Sequence, residues 1–207
     1  MPVTLRIRTR RHPLAPGSTS SEDALERLRA GNARYAAGRP LPPRGGDGER
    51  RRALAVRQQP FAVVLGCIDS RVPPERVFDV GLGDLVCIRT AGQALDEAVL
   101  GSIEFGVTEL GATLVVVLGH ERCGAVAAAV ERVRSGRAVR GHLTRVIDEL
   151  TPAAAGARPL AGDWLENAVS ANVARVQRTL RADRAFDPAV VVGARFDLDT
   201  GEVVFRR

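Results

Sequence analysis

Three features of the 207-residue chain predict an α/β fold with a mostly parallel sheet, an antiparallel strand at one edge and helices on its flanks. Short β-branched runs at 61–66, 85–89, 114–119 and 189–194 alternate with helical patterns near 95–109, 123–135 and 164–182, the order expected of strands joined by crossover helices. The runs at 61–66 and 114–119 are apolar throughout, as strands buried on both faces are. The turn signal Asp199-Thr200-Gly201 separates the last long run from Val203, Val204 and Phe205, so the final strand returns antiparallel at an edge.

Each element has its own local reason. Residues 1–20, rich in Arg, Pro, Ser and Thr, are expected to form a flexible tail, and 21–207 a single domain. Ser21 is placed to cap a first helix with Leu25, Leu28, Ala33 and Tyr35 on its apolar side. Gly38, Pro40, Pro42 and Pro43 end it. Gly45, Gly46 and Gly48 then read as a flexible link to a short helix that ends near Gln58. With 45% hydrophobic residues, the chain is long enough to fill one core.

Composition excludes several functions. No apolar stretch reaches the eighteen or so residues of a membrane span, and the basic start runs into Pro13, Pro16 and Gly17 instead of an apolar signal core. A cytoplasmic protein without a membrane partner is expected, and three cysteines give no disulfide framework. The net charge of +6 is carried by arginines scattered along the chain. The densest cluster, Arg50-Arg51-Arg52, has no aromatic neighbours for base stacking, so no nucleic-acid partner is expected. The absence of lysine excludes Schiff-base chemistry and a P-loop lysine. Gly81-Leu82-Gly83 precedes a strand and lacks the third glycine of a dinucleotide site.

The remaining chemistry gathers at two places. Cys67-Ile68-Asp69-Ser70-Arg71 follows one buried run and His120-Glu121-Arg122-Cys123 follows another, at the carboxyl ends of strands where open α/β sheets carry their sites. Cys67 and Asp69, two apart in extended chain, can face one ion. His120 and Cys123, three apart, share a face if they lie on a helix's first turn. Two Cys, one His and one Asp are the ligand types of Zn²⁺, and Asp69 decides between a closed structural shell and an open catalytic one. Arg71 lies where it can hold Asp69 bidentately and draw it from the metal. An open zinc site brings the pKa of bound water toward ~7. Cys87, inside an apolar run, reads as a small buried hydrophobe, and His12, in the tail, and His142, in a polar helical stretch, as surface residues.

These residues resemble the β-class carbonic anhydrases. The resemblance rests on Cys67-Ile68-Asp69-Ser70-Arg71-Val72-Pro73-Pro74, Gly81-Leu82-Gly83-Asp84, Arg89-Thr90-Ala91-Gly92, Gly101-Ser102-Ile103-Glu104 and Gly119-His120-Glu121-Arg122-Cys123-Gly124-Ala125, and covers roughly residues 22 to 205. It implies reversible hydration of CO₂ to bicarbonate by a homo-oligomer, dimer or tetramer, with an N-terminal helix embracing the partner subunit. It also implies a four-stranded parallel sheet with an added edge strand.

By the same resemblance, Cys67, His120 and Cys123 are permanent zinc ligands, while Asp69 either takes the fourth position or, paired with Arg71, leaves it to water. Gln58 matches a glutamine that hydrogen-bonds substrate in the plant-like members. Val86, Ala91 and Phe105 match pocket positions, Phe105 standing where a tyrosine is common and Ile68 where a serine is. Val64 stands where enzymes that close by ligating the aspartate carry an aromatic residue, which with Gln58 favours the open form. A nearby alternative keeps the site and changes the substrate to CS₂ or COS.

Overall fold

A computed structural model describes residues 19–41 and 47–206. Five strands form one sheet in the order β2-β1-β3-β4-β5. β1 (Ala62–Cys67) pairs in parallel with β2 (Leu85–Thr90) and with β3 (Leu114–His120), and β3 pairs in parallel with β4 (Val190–Phe196). β5 (Val203–Arg206) closes the edge antiparallel to β4, as the turn signal predicts.

β1 and β3 are buried along their whole length, which is why their sequences are unbroken apolar runs. Alternate residues go to opposite faces. Ala62, Val64, Leu114, Val116 and Leu118 pack under α1 (Ser21–Ala36), with Val77 of α3 (Pro74–Val77) in the same cluster. Val63, Leu65, Val115 and Val117 pack against α4 (Glu97–Thr108) and α7 (Trp164–Ala182). A third cluster joins α5 (Gly124–Ser135), α6 (Leu143–Ala157) and the first half of α7, and includes Cys67 and Cys123. Gly119 lets α7 lie directly on β3, since a Cβ there would collide with Val173.

Several local expectations are corrected. Ser20, not Ser21, caps α1, its hydroxyl accepting from the Asp23 amide at 3.1 Å. Thr19 is tied to the core as well, its carbonyl accepting from the Thr113 hydroxyl at 2.8 Å. The rest of the expected tail, residues 1–18, lies outside the described residues, as do Gly45 and Gly46 of the expected link. Gly48 belongs to α2 (Asp47–Leu54), which ends four residues before Gln58. The polar helical stretch read at His142 is the start of α6, whose buried stripe and extent to Ala157 the sequence pattern does not show. Pro152 interrupts its signal, yet Ile147, Leu150, Ala153, Ala154 and Ala157 bury a stripe against α5 and α7 that outweighs the lost bond. No helix among the described residues is long and apolar enough to cross a membrane.

Candidate metal centre

Pairing of β1 with β3 brings the two sequence signatures together. Cys67 is the last residue of β1 and His120 the last of β3. Cys123 is the N-cap of α5, so His120 and Cys123 do not share a helical face as their spacing suggests. They converge because Arg122 takes a left-handed backbone (φ 50°) and folds the chain back within two residues. The donor atoms of Cys67, His120 and Cys123 all lie within 4.8 Å of one another, and all three residues are buried.

The donor set fits a metal ion. The two sulfurs are 3.9 Å apart, close to the ~3.8 Å that two thiolates at 2.3 Å subtend on a tetrahedral zinc. His120 is fully buried with no hydrogen-bond partner on Nε2 among the described residues, while Nδ1 is 2.8 Å from the Glu121 carbonyl oxygen. A buried polar nitrogen without a partner costs free energy unless something binds it. An N–H from Gly92 donates to the Cys67 sulfur at 3.4 Å. The Cys123 thiol and this sulfur share a proton, so the Cys67 thiol is held well below its ordinary pKa and the Cys123 thiol well above it. Burial opposes charging of His120, but the Cys67 sulfur, the Glu121 carbonyl and Asp69 together hold its pKa up.

Asp69 stands at the edge of this cluster. Its carboxylate accepts two bonds from the Arg71 guanidinium, at 3.0 and 2.8 Å, and a third from the Arg71 amide at 3.0 Å. Those bonds hold its pKa well below the usual carboxylate range. One oxygen lies 3.9 Å from His120 Nε2, beyond hydrogen-bond length. Arg89 of β2 steadies the segment from behind, donating to the carbonyls of Cys67 (2.7 Å) and Asp69 (2.6 Å).

Other expected site residues lie farther out in the single chain. Gln58 is exposed between α2 and β1, and no hydrogen bond joins it to the cluster among the described residues. Val86 is half-buried on the edge strand β2, and Phe105 on α4 is 41% exposed. Ala91 opens the 3-10 turn Ala91–Gln93 that presents the Gly92 N–H to Cys67. Cys87, also on β2, is half-buried, and its thiol pKa is pushed far up by burial and by nearby Glu75.

Sequence reasoning missed the residues that hold the His120–Cys123 turn. The Arg122 amide donates to Glu166 Oε1 at 2.9 Å, and Glu166 Oε2 is 2.8 Å from Arg195, which also pairs with Glu121. The Arg122 side chain reaches Asp199 at 2.7 Å.

The sheet thus brings two thiols and an imidazole together beside the carboxyl ends of neighbouring parallel strands, a donor set suited to a transition-metal ion. The family model for carbonic anhydrase matches residues 62–203. Carbonic anhydrase 2 of Mycobacterium tuberculosis is 38% identical over 199 residues, 91% of this chain and 94% of its own length. Carbonic anhydrase of Mycolicibacterium smegmatis is 50% identical over 129 residues, 62% of each chain. Among solved structures, the fold is similar to a β-carbonic anhydrase of Coccomyxa in complex with acetazolamide (TM-score 0.66, 24% identity, 87% of this chain and 83% of that one). It is also similar to a tetrameric β-carbonic anhydrase of Sordaria macrospora (TM-score 0.67, 22% identity, 76% and 86%). The chain belongs to the β-class carbonic anhydrase family.

Proposed function

We propose that the chain catalyses the reversible hydration of carbon dioxide to bicarbonate and a proton, with one zinc ion bound by Cys67, His120 and Cys123. The observation that carries this reading is the convergence of two thiols with an imidazole whose Nε2 has no hydrogen-bond partner among the described residues. When bound, zinc supplies the Lewis acidity that makes water a nucleophile near neutral pH. Three protein ligands leave a fourth position free, which suits catalysis better than a closed structural shell.

The protein's own residues shape the rest. Asp69, kept ionised and turned toward Arg71, accepts a hydrogen bond from the attacking water and orients it; this is the open form. Gln58 donates its amide to the oxygen that gains charge, and Val86, Ala91 and Phe105 supply a dry apolar wall for CO₂. The active unit is a homo-oligomer: Gln58 and Phe105 are exposed and β2 is a half-buried apolar edge in the single chain, positions that a partner subunit would cover. The Sordaria relative is described as tetrameric. The catalytic domain spans residues 21–207, and thiols that must stay reduced to bind metal suit the cytoplasm.

Stopped-flow CO₂ hydration and elemental analysis test the reading together. One zinc per chain and rapid turnover are expected in the native sequence, and loss of both in Cys123→Ser. Full zinc occupancy and turnover in that variant would overturn the ligand assignment.

A further inference from the structure

The peptide unit between Glu121 and Arg122 is gripped at both ends. Its carbonyl oxygen lies 2.8 Å from His120 Nδ1, and its N–H, the Arg122 amide, donates to Glu166 Oε1 at 2.9 Å. Glu166 is itself fixed. It lies in the first turn of α7, its amide bonded to the Asp163 cap at 2.9 Å, and its second oxygen pairs with Arg195 of β4 at 2.8 Å. Arg195 also reaches Glu121, so the turn is clasped from α7 and from β4. The backbone here is left-handed at Arg122, a conformation a non-glycine residue holds only when its surroundings enforce it.

We propose that Glu166 is a positioning residue for His120, acting through that single peptide unit. The carboxylate sets the peptide plane, the plane presents its carbonyl to Nδ1, and the proton is thereby kept on Nδ1, leaving the buried Nε2 free to ligate. Imidazole ligands commonly donate their other N–H to a carboxylate or a carbonyl, which fixes tautomer and ring orientation. Here a carboxylate contributes through an intervening peptide. Glu166 lies 46 residues from His120 in sequence, and nothing local to either residue signals the link. The inference rests on His120 being a metal ligand, but the hydrogen-bond chain can be tested without metal.

The experiment is imidazole ¹⁵N–¹H NMR on histidine-labelled protein, metal-free and zinc-loaded, with zinc affinity read by chelator competition. His12→Asn and His142→Asn variants assign the His120 signals. The native chain is expected to keep a proton on His120 Nδ1, with a downfield Hδ1 resonance, in both states. Glu166→Ala should move that resonance upfield and weaken zinc binding about 10- to 100-fold. Glu166→Gln, whose amide oxygen can still accept from the Arg122 amide, should fall between the two. Asp199→Asn, which removes only the charge paired with the Arg122 side chain, should change neither quantity. A Glu166→Ala protein that melts earlier but keeps the native Hδ1 resonance and zinc affinity would show a merely structural role and overturn the proposal. If that variant does not fold, the same null result in Glu166→Gln would overturn it. A native protein that takes up no zinc would overturn the metal reading alone, and the metal-free resonances would still decide the role of Glu166.

Discussion

Cys67 is held by backbone and packing, whereas His120 and Cys123 sit on a turn braced by charged side chains. Cys67 ends a strand flanked on both sides by parallel neighbours, and its sulfur receives an N–H from Gly92. Gly92 has room there only because it lacks a side chain. Its carbonyl is held in turn by the buried Asn172 amide at 2.7 Å. On the other side, the left-handed Arg122 turn is clasped by Glu166 and Arg195, both partly exposed, with the Arg122–Asp199 pair outermost in solvent. The first half-site should therefore respond to changes of shape, and the second to changes of charge.

The largest effect on stability is expected where shape is tightest. An alanine Cβ at position 92 would meet Leu150 Cδ1 at 2.7 Å and Ala125 Cβ at 3.3 Å, on a backbone with φ 62°. Gly92→Ala should cost about 1–3 kcal/mol in denaturant unfolding and weaken metal binding at Cys67. An unchanged unfolding midpoint would break the contrast between the two half-sites.

A second test separates gating from stability. Arg71→Ala should retain zinc but lose most CO₂ hydration at pH 7.5, because Asp69 is freed to turn toward the metal. Undiminished turnover of zinc-replete Arg71→Ala would remove the gating role. The same variant carries a pH signature. The bonds from Arg71 lower the folded-state pKa of Asp69, so the stability they contribute is present above its unfolded value near ~4 and is lost as pH falls toward the folded value. Acid unfolding profiles of native and Arg71→Ala protein should thus differ above about pH 4 and converge below it.

The smallest effect should come from the outermost brace. Arg122 and Asp199 are 52% and 72% exposed, so Asp199→Asn should leave the thermal midpoint and zinc content almost unchanged. A marked loss of zinc in that variant would mean that surface charge, more than the Glu166 clasp, holds the turn.

The parallel core and the convergence of Cys67, His120 and Cys123 could be read from residues alone, because β1 and β3 are unbroken apolar runs that end in Cys67 and His120 at neighbouring carboxyl ends. The antiparallel edge was legible for a similar reason: a short connection around Asp199-Thr200-Gly201 leaves two neighbouring runs no room for a parallel crossover. Local pattern misplaced the cap of α1 by one residue and read the start of α6 as merely polar, since Pro152 hides a stripe that only burial against α5 and α7 reveals. It also put His120 and Cys123 on one helical turn, when a left-handed residue between strand and helix is what joins them. Glu166, Arg195 and Asn172 left no trace in periodicity or spacing. Their roles depend on single hydrogen bonds between elements distant in sequence, and such bonds exist only after β4 has paired with β3 and α7 has packed across both.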